Sequence, residues 1–240
     1  MLRYAGFVLL PLSFFAVSTA WAEDCSLPLR GNRQMCSLEQ KARAGITDSQ
    51  YDLGVAYEIG NGVDKNCNLA AHWYGLAANH GNQFAQNNLG VLYAKGCGVP
   101  KDDAQAVKWY MRSASAGFAV AQNNLGFMYA HGRGVKQSDD AAVHWYREAA
   151  NQRFGPALAN LAGHYMTGKG VPADEAEAAR LEILAAEQGY PPSELAVAKM
   201  YMRGWHIKKD PAAALTWYHR AAEHGEPDAK LAVVEMERGK

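Results

Sequence analysis

Apolar residues along this chain fall into fixed columns. In the stretch 83–118, Ala85, Leu89 and Tyr93 stand at i, i+4 and i+8 with polar residues between them, one face of an amphipathic helix. The columns recur on both sides as Leu53, Leu89, Leu125 and Leu161, and as Tyr57, Tyr93, Tyr129, Tyr165 and Tyr201. This face, tyrosine included, is predicted to be core. Each such helix runs into a glycine turn that begins at Gly60, Gly96, Gly132, Gly168 and Gly204, a period of 36 residues. A fixed period in that range is the signature of a solenoid, in which each unit covers the apolar face its neighbour leaves open.

A second helix is predicted after each turn. Asn66, Asp102, Ser138, Asp174 and Asp210 form a column of residues whose side chains accept from the free N–H groups of a first turn, and Pro211 stands at the tolerated N1 position. Behind them run Ala70, Ala106, Ala142, Ala178 and Ala214, then Trp73-Tyr74, Trp109-Tyr110, Trp145-Tyr146 and Trp217-Tyr218. Recurrence in four of five units marks these aromatics as core rather than a ligand box. Gly54, Gly90 and Gly126 leave room for a neighbouring helix to approach. The second helices close at Gly81, Gly117, Gly189 and Gly225, with Arg153 where the third unit should have its glycine and Leu181-Glu182 where the fourth should have its aromatics.

The ends read differently. Arg3, an apolar run from Ala5 to Val17 and Ala20-Trp21-Ala22 make residues 1–22 a secretory signal peptide, cleaved after Ala22. Residues 23–46 close like a second helix and serve as an N-terminal cap; residues 227–240 match a first helix without a partner and serve as a C-terminal capping helix. Terminal units of a solenoid need a polar outer face. No later stretch is long and apolar enough for stable membrane insertion.

Removing the leader takes away Arg3 and no acidic residue, leaving 24 − 1 = 23 basic against 24 acidic side chains. Near-neutrality disfavours nucleic acid as a partner. Cys25, Cys36, Cys67 and Cys97 enter an oxidising compartment, where four cysteines permit three connectivities. A Cys25–Cys36 bridge would staple the N-terminal segment to the first helix, and stacked units could bring Cys67 to Cys97; free buried cysteines remain the alternative.

No catalytic constellation is present: no Ser-x-x-Lys, Gly-x-Ser-x-Gly, His-Glu-x-x-His or Cys-x-x-Cys, and no phosphate-cradling loop followed by Lys-Ser or Lys-Thr. The expectation is no enzyme activity, no metal and no cofactor. The histidines fall in different columns; His72 and His144 share one but lie two units apart. His164, in a column of Ala56, Leu92, Met128 and Met200, reads as a satisfied core histidine.

The arrangement A-x-x-x-L-G-x-x-Y-x-x-G-x-G-V, a cap, then A-x-x-W-Y, resembles the Sel1-like repeat, a relative of the tetratricopeptide repeat. It covers residues 47–226 as 47–82, 83–118, 119–154, 155–190 and 191–226. The resemblance implies an all-α fold, a right-handed α-solenoid of five 36-residue helix-turn-helix repeats with terminal capping helices, whose first helices line a concave groove. The groove columns are then Tyr51, Asn87, Asn123, Ala159 and Leu195, and Val55, Val91, Phe127, Gly163 and Lys199, with Lys95, His131 and Arg203 at the far edge. Asn87 and Asn123 would hold an extended backbone by paired amide hydrogen bonds, with Val91 and Phe127 as apolar contacts. That asparagine is mere repeat consensus there is the competing explanation.

The family further implies a protein-protein interaction scaffold. Exported members act as regulators of a membrane sensor or as immunity proteins that neutralise a secreted toxin, so another protein is the expected partner. The alternative implication is enzymatic, since cysteine-rich members are suggested to bind penicillin and weakly hydrolyse it. Those members place two cysteines closer together than any pair in this chain.

Overall fold

A computed structural model describes Cys25 and residues 32–238; the expected signal peptide and its cleavage site lie outside the described residues. Among the described residues every regular element is helical. In order these are α1 (Arg33–Arg43), α2 (Thr47–Ile59), α3 (Cys67–Asn79), α4 (Gln83–Lys95), α5 (Asp103–Ser115), α6 (Ala119–His131), α7 (Asp139–Asn151), α8 (Gly155–Thr167), α9 (Glu175–Glu187), α10 (Pro191–Arg203), α11 (Pro211–Glu223) and α12 (Pro227–Arg238). Helices α2 to α11 pair as five units, with α1 packed on α2 in the place of a second helix and α12 on α11 in the place of a first helix. Each helix packs on its neighbours in the chain and α2 also meets α4, so successive first helices lie side by side. This is the all-α solenoid that the columns predict.

Local chemistry places the helices. Asn66, Asp102, Ser138 and Asp174 each accept the backbone N–H three residues on, at 2.9–3.2 Å. Asp210 accepts from Ala212 and Ala213 at 3.0 Å. Each such cap stabilises its helix by about 1 kcal/mol. In the second helices Tyr74, Tyr110 and Tyr146 are buried against Gly54, Gly90 and Gly126, where an added Cβ would stand 2.5–2.8 Å from the ring carbons. In these three units the glycines leave the room the rings occupy, whereas the fifth packs Tyr218 in one cluster with Ala198. Where Glu182 replaces the tyrosine, Ala162 replaces the glycine.

The first-helix tyrosines differ from expectation. Tyr57 is 2% exposed, but Tyr93, Tyr129, Tyr165 and Tyr201 are only half-buried. They sit in the last turn, where their carbonyls accept the N–H of the following cap residue at 2.8–3.0 Å along the whole series. Of the first-helix tyrosines only Tyr57 is fully buried; Tyr165 is partly covered by Arg147 of α7, whose guanidinium reaches its hydroxyl at 2.8 Å. The apolar core is a string of local clusters, each spanning two to four helices, as expected of a solenoid stabilised by nearest-neighbour contacts.

Two polar joints recur between units. At the first, Gln50, Gln86 and Gln122 are buried and send Nε2 to the carbonyls of Ala42, Ala78 and Ala114 in the last turn of the preceding second helix, at 3.0–3.2 Å. The Oε1 atoms of Gln50 and Gln122 meet His80 Nδ1 (3.2 Å) and Gln152 Nε2 (2.8 Å). Ala116 occupies that partner position in the second unit, and Gln86 Oε1 is accordingly left without a hydrogen bond. The column continues as Leu158 and then Glu194, whose carboxylate is fully buried between Arg220 (3.0 Å) and His224 (2.7 Å).

At the second joint, the turn of each unit meets the start of the preceding second helix. Cys67–Cys97 forms a disulfide there with Cα atoms 5.4 Å apart. One unit on, Arg133 binds Asp103 in bidentate fashion at 2.6 and 3.1 Å, and further on His206 Nε2 lies 3.2 Å from Glu175. The other bridge, Cys25–Cys36, has Cα atoms 5.5 Å apart; both cysteine pairs are the ones the sequence geometry favours. In the turns, a Cβ on Gly98, Gly134 or Gly170 would run into the backbone of Cys67, Asp103 or Asp139. The fifth turn carries His206 there at φ 51°.

Candidate functional site

The first helices keep one stripe open to solvent. In α2 it runs through Asp48, Asp52, Val55 and Ile59; the equivalent positions supply Phe84 and Lys95 in α4, Phe127 and His131 in α6, Gly163 and Thr167 in α8, and Lys199 and Arg203 in α10, with Met166 exposed beside it. Spacings of three and four residues place these side chains on one helical face. Because the first helices lie side by side, the stripes adjoin into one surface.

The ten expected groove residues divide by burial. Lys95, Phe127, His131, Lys199 and Arg203 are exposed, and Tyr51, Val55, Val91 and Asn123 are half-buried. Asn87 is 5% exposed. Its amide donates to Asn88 Oδ1 (3.1 Å) while its carbonyl accepts from Asn124 Nδ2 (3.0 Å). Asn123 likewise accepts from Asn160 Nδ2 at 2.8 Å. Asn87 therefore has both ends of its amide engaged within the fold, whereas half-buried Asn123 is engaged through its carbonyl: the two carbonyls stitch α4 to α6 and α6 to α8. A side chain this far inside must satisfy its polar atoms within the fold, and a neighbouring asparagine does so.

The exposed aromatics are pre-organised. Phe127 is 39% exposed and its ring stacks on His131 with centroids 4.0 Å apart, while His131 Nδ1 lies 2.9 Å from the Phe127 carbonyl. Phe84, 42% exposed, stands 5.9 Å from the Tyr51 ring and edge-on to Phe118 at 5.0 Å. Sequence reasoning passed over Phe84 and Met166. The signal for Phe84 was available, since it precedes Val91 by seven residues, two turns along the same face.

Charge is unevenly distributed over this surface. Burial, then Asp48, pushes the Asp52 carboxyl up; burial, then Asp52 and Glu58, pushes the Tyr51 hydroxyl up. Glu58 accepts the Tyr74 hydroxyl at 2.6 Å, and burial followed by that bond raises the Tyr74 hydroxyl beyond any accessible pH. His164, expected to be a satisfied core histidine, is only half-buried, with its Nδ1 2.8 Å from the Lys169 carbonyl. Among the described residues no three His, Cys, Asp or Glu side chains stand together as a metal-binding set, and no helix is long and apolar enough to cross a membrane. An open cavity of about 430 Å³ lies beside α1 and α3, lined by Arg43, Gln50, His72, Trp73 and Leu76. Arg43 there is already bound to Glu39 at 2.8 Å.

A family model described as Sel1 repeat matches residues 47–82, 83–118, 119–154, 155–190 and 191–226. Among solved structures, a protective antigen present in uropathogenic Escherichia coli strains is 31% identical, with a TM-score of 0.72 over 85% of this chain and 44% of that one. This chain thus spans less than half the length of that antigen. A Sel1 repeat protein from Oxalobacter formigenes is also 31% identical, with a TM-score of 0.71 over 83% of this chain and 86% of that one. An immunity protein from Pseudomonas aeruginosa shares the fold at 22% identity and a TM-score of 0.55, over 76% of this chain and 67% of that one. A search of curated proteins finds no match.

Proposed function

The chain belongs to the Sel1 repeat family, and from that membership we propose that it is an exported, non-catalytic scaffold that binds another protein through the exposed stripe of its first helices. The observation that carries this reading is Phe127, held in place by His131 yet open to solvent in the middle of a surface that also exposes Phe84 and Met166. Aromatic side chains at the centre of such patches are enriched among binding hot spots. Export is supported by the leader pattern and by two paired cysteine bridges, which persist in oxidising compartments. A secreted toxin or a membrane sensor is the kind of partner that fits an exported scaffold. The immunity role is supported further by the likeness of fold to the Pseudomonas immunity protein.

The test is affinity capture from periplasmic extract with the mature protein and with Phe127→Ala. A specific partner should be lost at least tenfold, equivalent to truncating a hot spot worth about 2 kcal/mol or more, while the melting temperature stays within about a degree because Phe127 is an exposed residue outside the buried core. Unchanged capture by Phe127→Ala would move the binding surface to the second helices or the turns.

A further inference from the structure

The stripe carries two pairs of like charges that make no ion pair among the described residues, although Asp48 in a first turn and Arg203 in a last turn suit the helix dipole. On α2, Asp48 and Asp52 are exposed, four residues apart, and neither meets a cation. On α10, Lys199 and Arg203 are exposed, also four residues apart, and neither meets an acid. Like charges at this spacing weaken a helix, and unlike Arg112 of the exposed pair Lys108/Arg112, which lies over the Trp109 ring at 4.5 Å, these four are open to solvent. The two pairs also lie at different levels. Asp48 and Asp52 occupy the first half of their helix, Lys199 and Arg203 the second half. Phe84, level with Asp48 in the register, and Phe127, level with Lys199, lie on the helices between them.

The span fixes the shape of a chain that could touch all of these. Neighbouring helices pack 8–10 Å apart, so four steps from α2 to α10 cover roughly 35–40 Å. An extended chain crosses that in about 12 residues at ~3.3 Å each, whereas a helix would need about 25 at ~1.5 Å. We propose that the stripe holds one extended peptide segment of its partner obliquely, with basic residues over Asp48 and Asp52, apolar residues over Phe84 and Phe127, and acidic residues over Lys199 and Arg203. This rests on the stripe being the binding surface and adds the chemistry and polarity of what it binds. Complementary charge at the two ends sets direction and register, and the aromatics between them supply the apolar anchor.

The experiment uses fluorescein-labelled 14-residue peptides with two lysines at one end, leucines in the middle and two glutamates at the other, in both chain directions, followed by anisotropy at low salt. One direction should bind at least tenfold more tightly than the other and than a peptide of the same composition with its charges interspersed. The protein carrying Asp48→Lys, Asp52→Lys, Lys199→Glu and Arg203→Glu together should prefer the opposite direction. These four positions are exposed, so unchanged circular dichroism and melting serve as the folding control. No binding by either ordered peptide, equal binding of the interspersed one, or an unchanged preference in the swapped protein overturns the proposal. If Phe127→Ala then weakens all peptides alike, the stripe survives as an undirected apolar surface; if Phe127→Ala weakens none, the stripe itself is not the binding surface.

Discussion

At the joint before each first helix, units one to three use a neutral glutamine and unit five uses a carboxylate. Gln50, Gln86 and Gln122 donate to the last carbonyls of the preceding second helix and accept, where a donor exists, from the end of their own. Glu194 cannot donate to Ala186, the equivalent carbonyl. Arg220 serves that carbonyl instead, at 3.4 Å, while also binding the carboxylate and lying over the Trp217 ring at 4.5 Å. A single change from amide to carboxylate thus requires a cation that does two jobs, with His224 as a second support. The amide joint tolerates a missing partner, as Gln86 shows. The carboxylate is held instead by ion pairs, its Oε1 having the Arg220 contact but no hydrogen bond, and removing the cation would be far more costly because it leaves an uncompensated buried charge.

The sharpest contrast between the two ends is covalent. Cys67–Cys97 closes a loop of sequence separation 30, and a loop of that length is expected to stabilise by roughly 3–4 kcal/mol through loss of unfolded-state freedom. Replacing both cysteines with alanine should lower stability by that amount in urea titration. Asp103→Asn, which disables the same joint one unit on, should cost only about 0–1 kcal/mol, since both partners are partly exposed. Equal losses at the two sites would mean that the joint, not the bond, carries the stability.

Next in size is the ionic joint. Arg220→Ala leaves Glu194 buried with His224 alone and should cost about 2–3 kcal/mol, against about 1 kcal/mol for Gln152→Ala, which removes a neutral donor from Gln122. Comparable losses would show that Glu194 does not depend on Arg220.

How far these joints could be read from the sequence follows from what each leaves in it. The period, the cap column and the Gly–Tyr pairing repeat as side-chain identities, so the architecture was legible. The glutamine joint was not, because its acceptor is a backbone carbonyl eight residues earlier, which any residue type supplies. The asparagine ladder was hidden for a related reason: Asn87 and Asn123 lie in a column facing the open side, but the close approach of successive first helices turns their carbonyls sideways. Phe127 and the charged edge were visible because helical spacing alone sets their direction, and Phe84 was missed only because the column one turn further back was not followed.

A pH comparison separates the fourth unit from the second. Burial raises the Glu182 carboxyl, with a smaller opposing effect from the nearby Ser193 hydroxyl. Its folded-state pKa lies above the unfolded value, so the native state is unpenalised when the pH is below the unfolded carboxylate range and loses stability as pH rises through the folded pKa. Asp103 is the reverse: the Arg133 hydrogen bond holds it low, so its contribution is present above the unfolded pKa and is lost as pH falls through the folded one. Glu182→Gln should therefore stabilise at pH 7 by about 1 kcal/mol, with the gain fading towards pH 4, whereas Asp103→Asn should destabilise at pH 7 and become neutral in acid. Melting curves of both variants across pH 3–8 decide it, and slopes of the same sign would refute the assignment.

The smallest expected effect lies at the boundary between the two regions. Arg153 closes the third unit in the left-handed conformation, φ 58°, where Gly117 and Gly189 close their units at φ 91° and 76°. A residue with a Cβ pays roughly 1 kcal/mol there, but glycine in its place loosens the unfolded chain by a comparable amount, about 0.5–1 kcal/mol. Arg153→Gly should consequently stabilise by no more than about 0.5 kcal/mol, the small residue of two opposing contributions. The converse change carries the same two contributions without a clash, because a Cβ at Gly117 meets nothing within 4 Å, but at φ 91° it lies further than Arg153 from the left-handed minimum. Gly117→Ala should then destabilise by about 1 kcal/mol, with no steric contribution to confuse it. If Gly117→Ala proves neutral, the left-handed closure is not what selects glycine at this column, and Arg153 marks no departure from the first units.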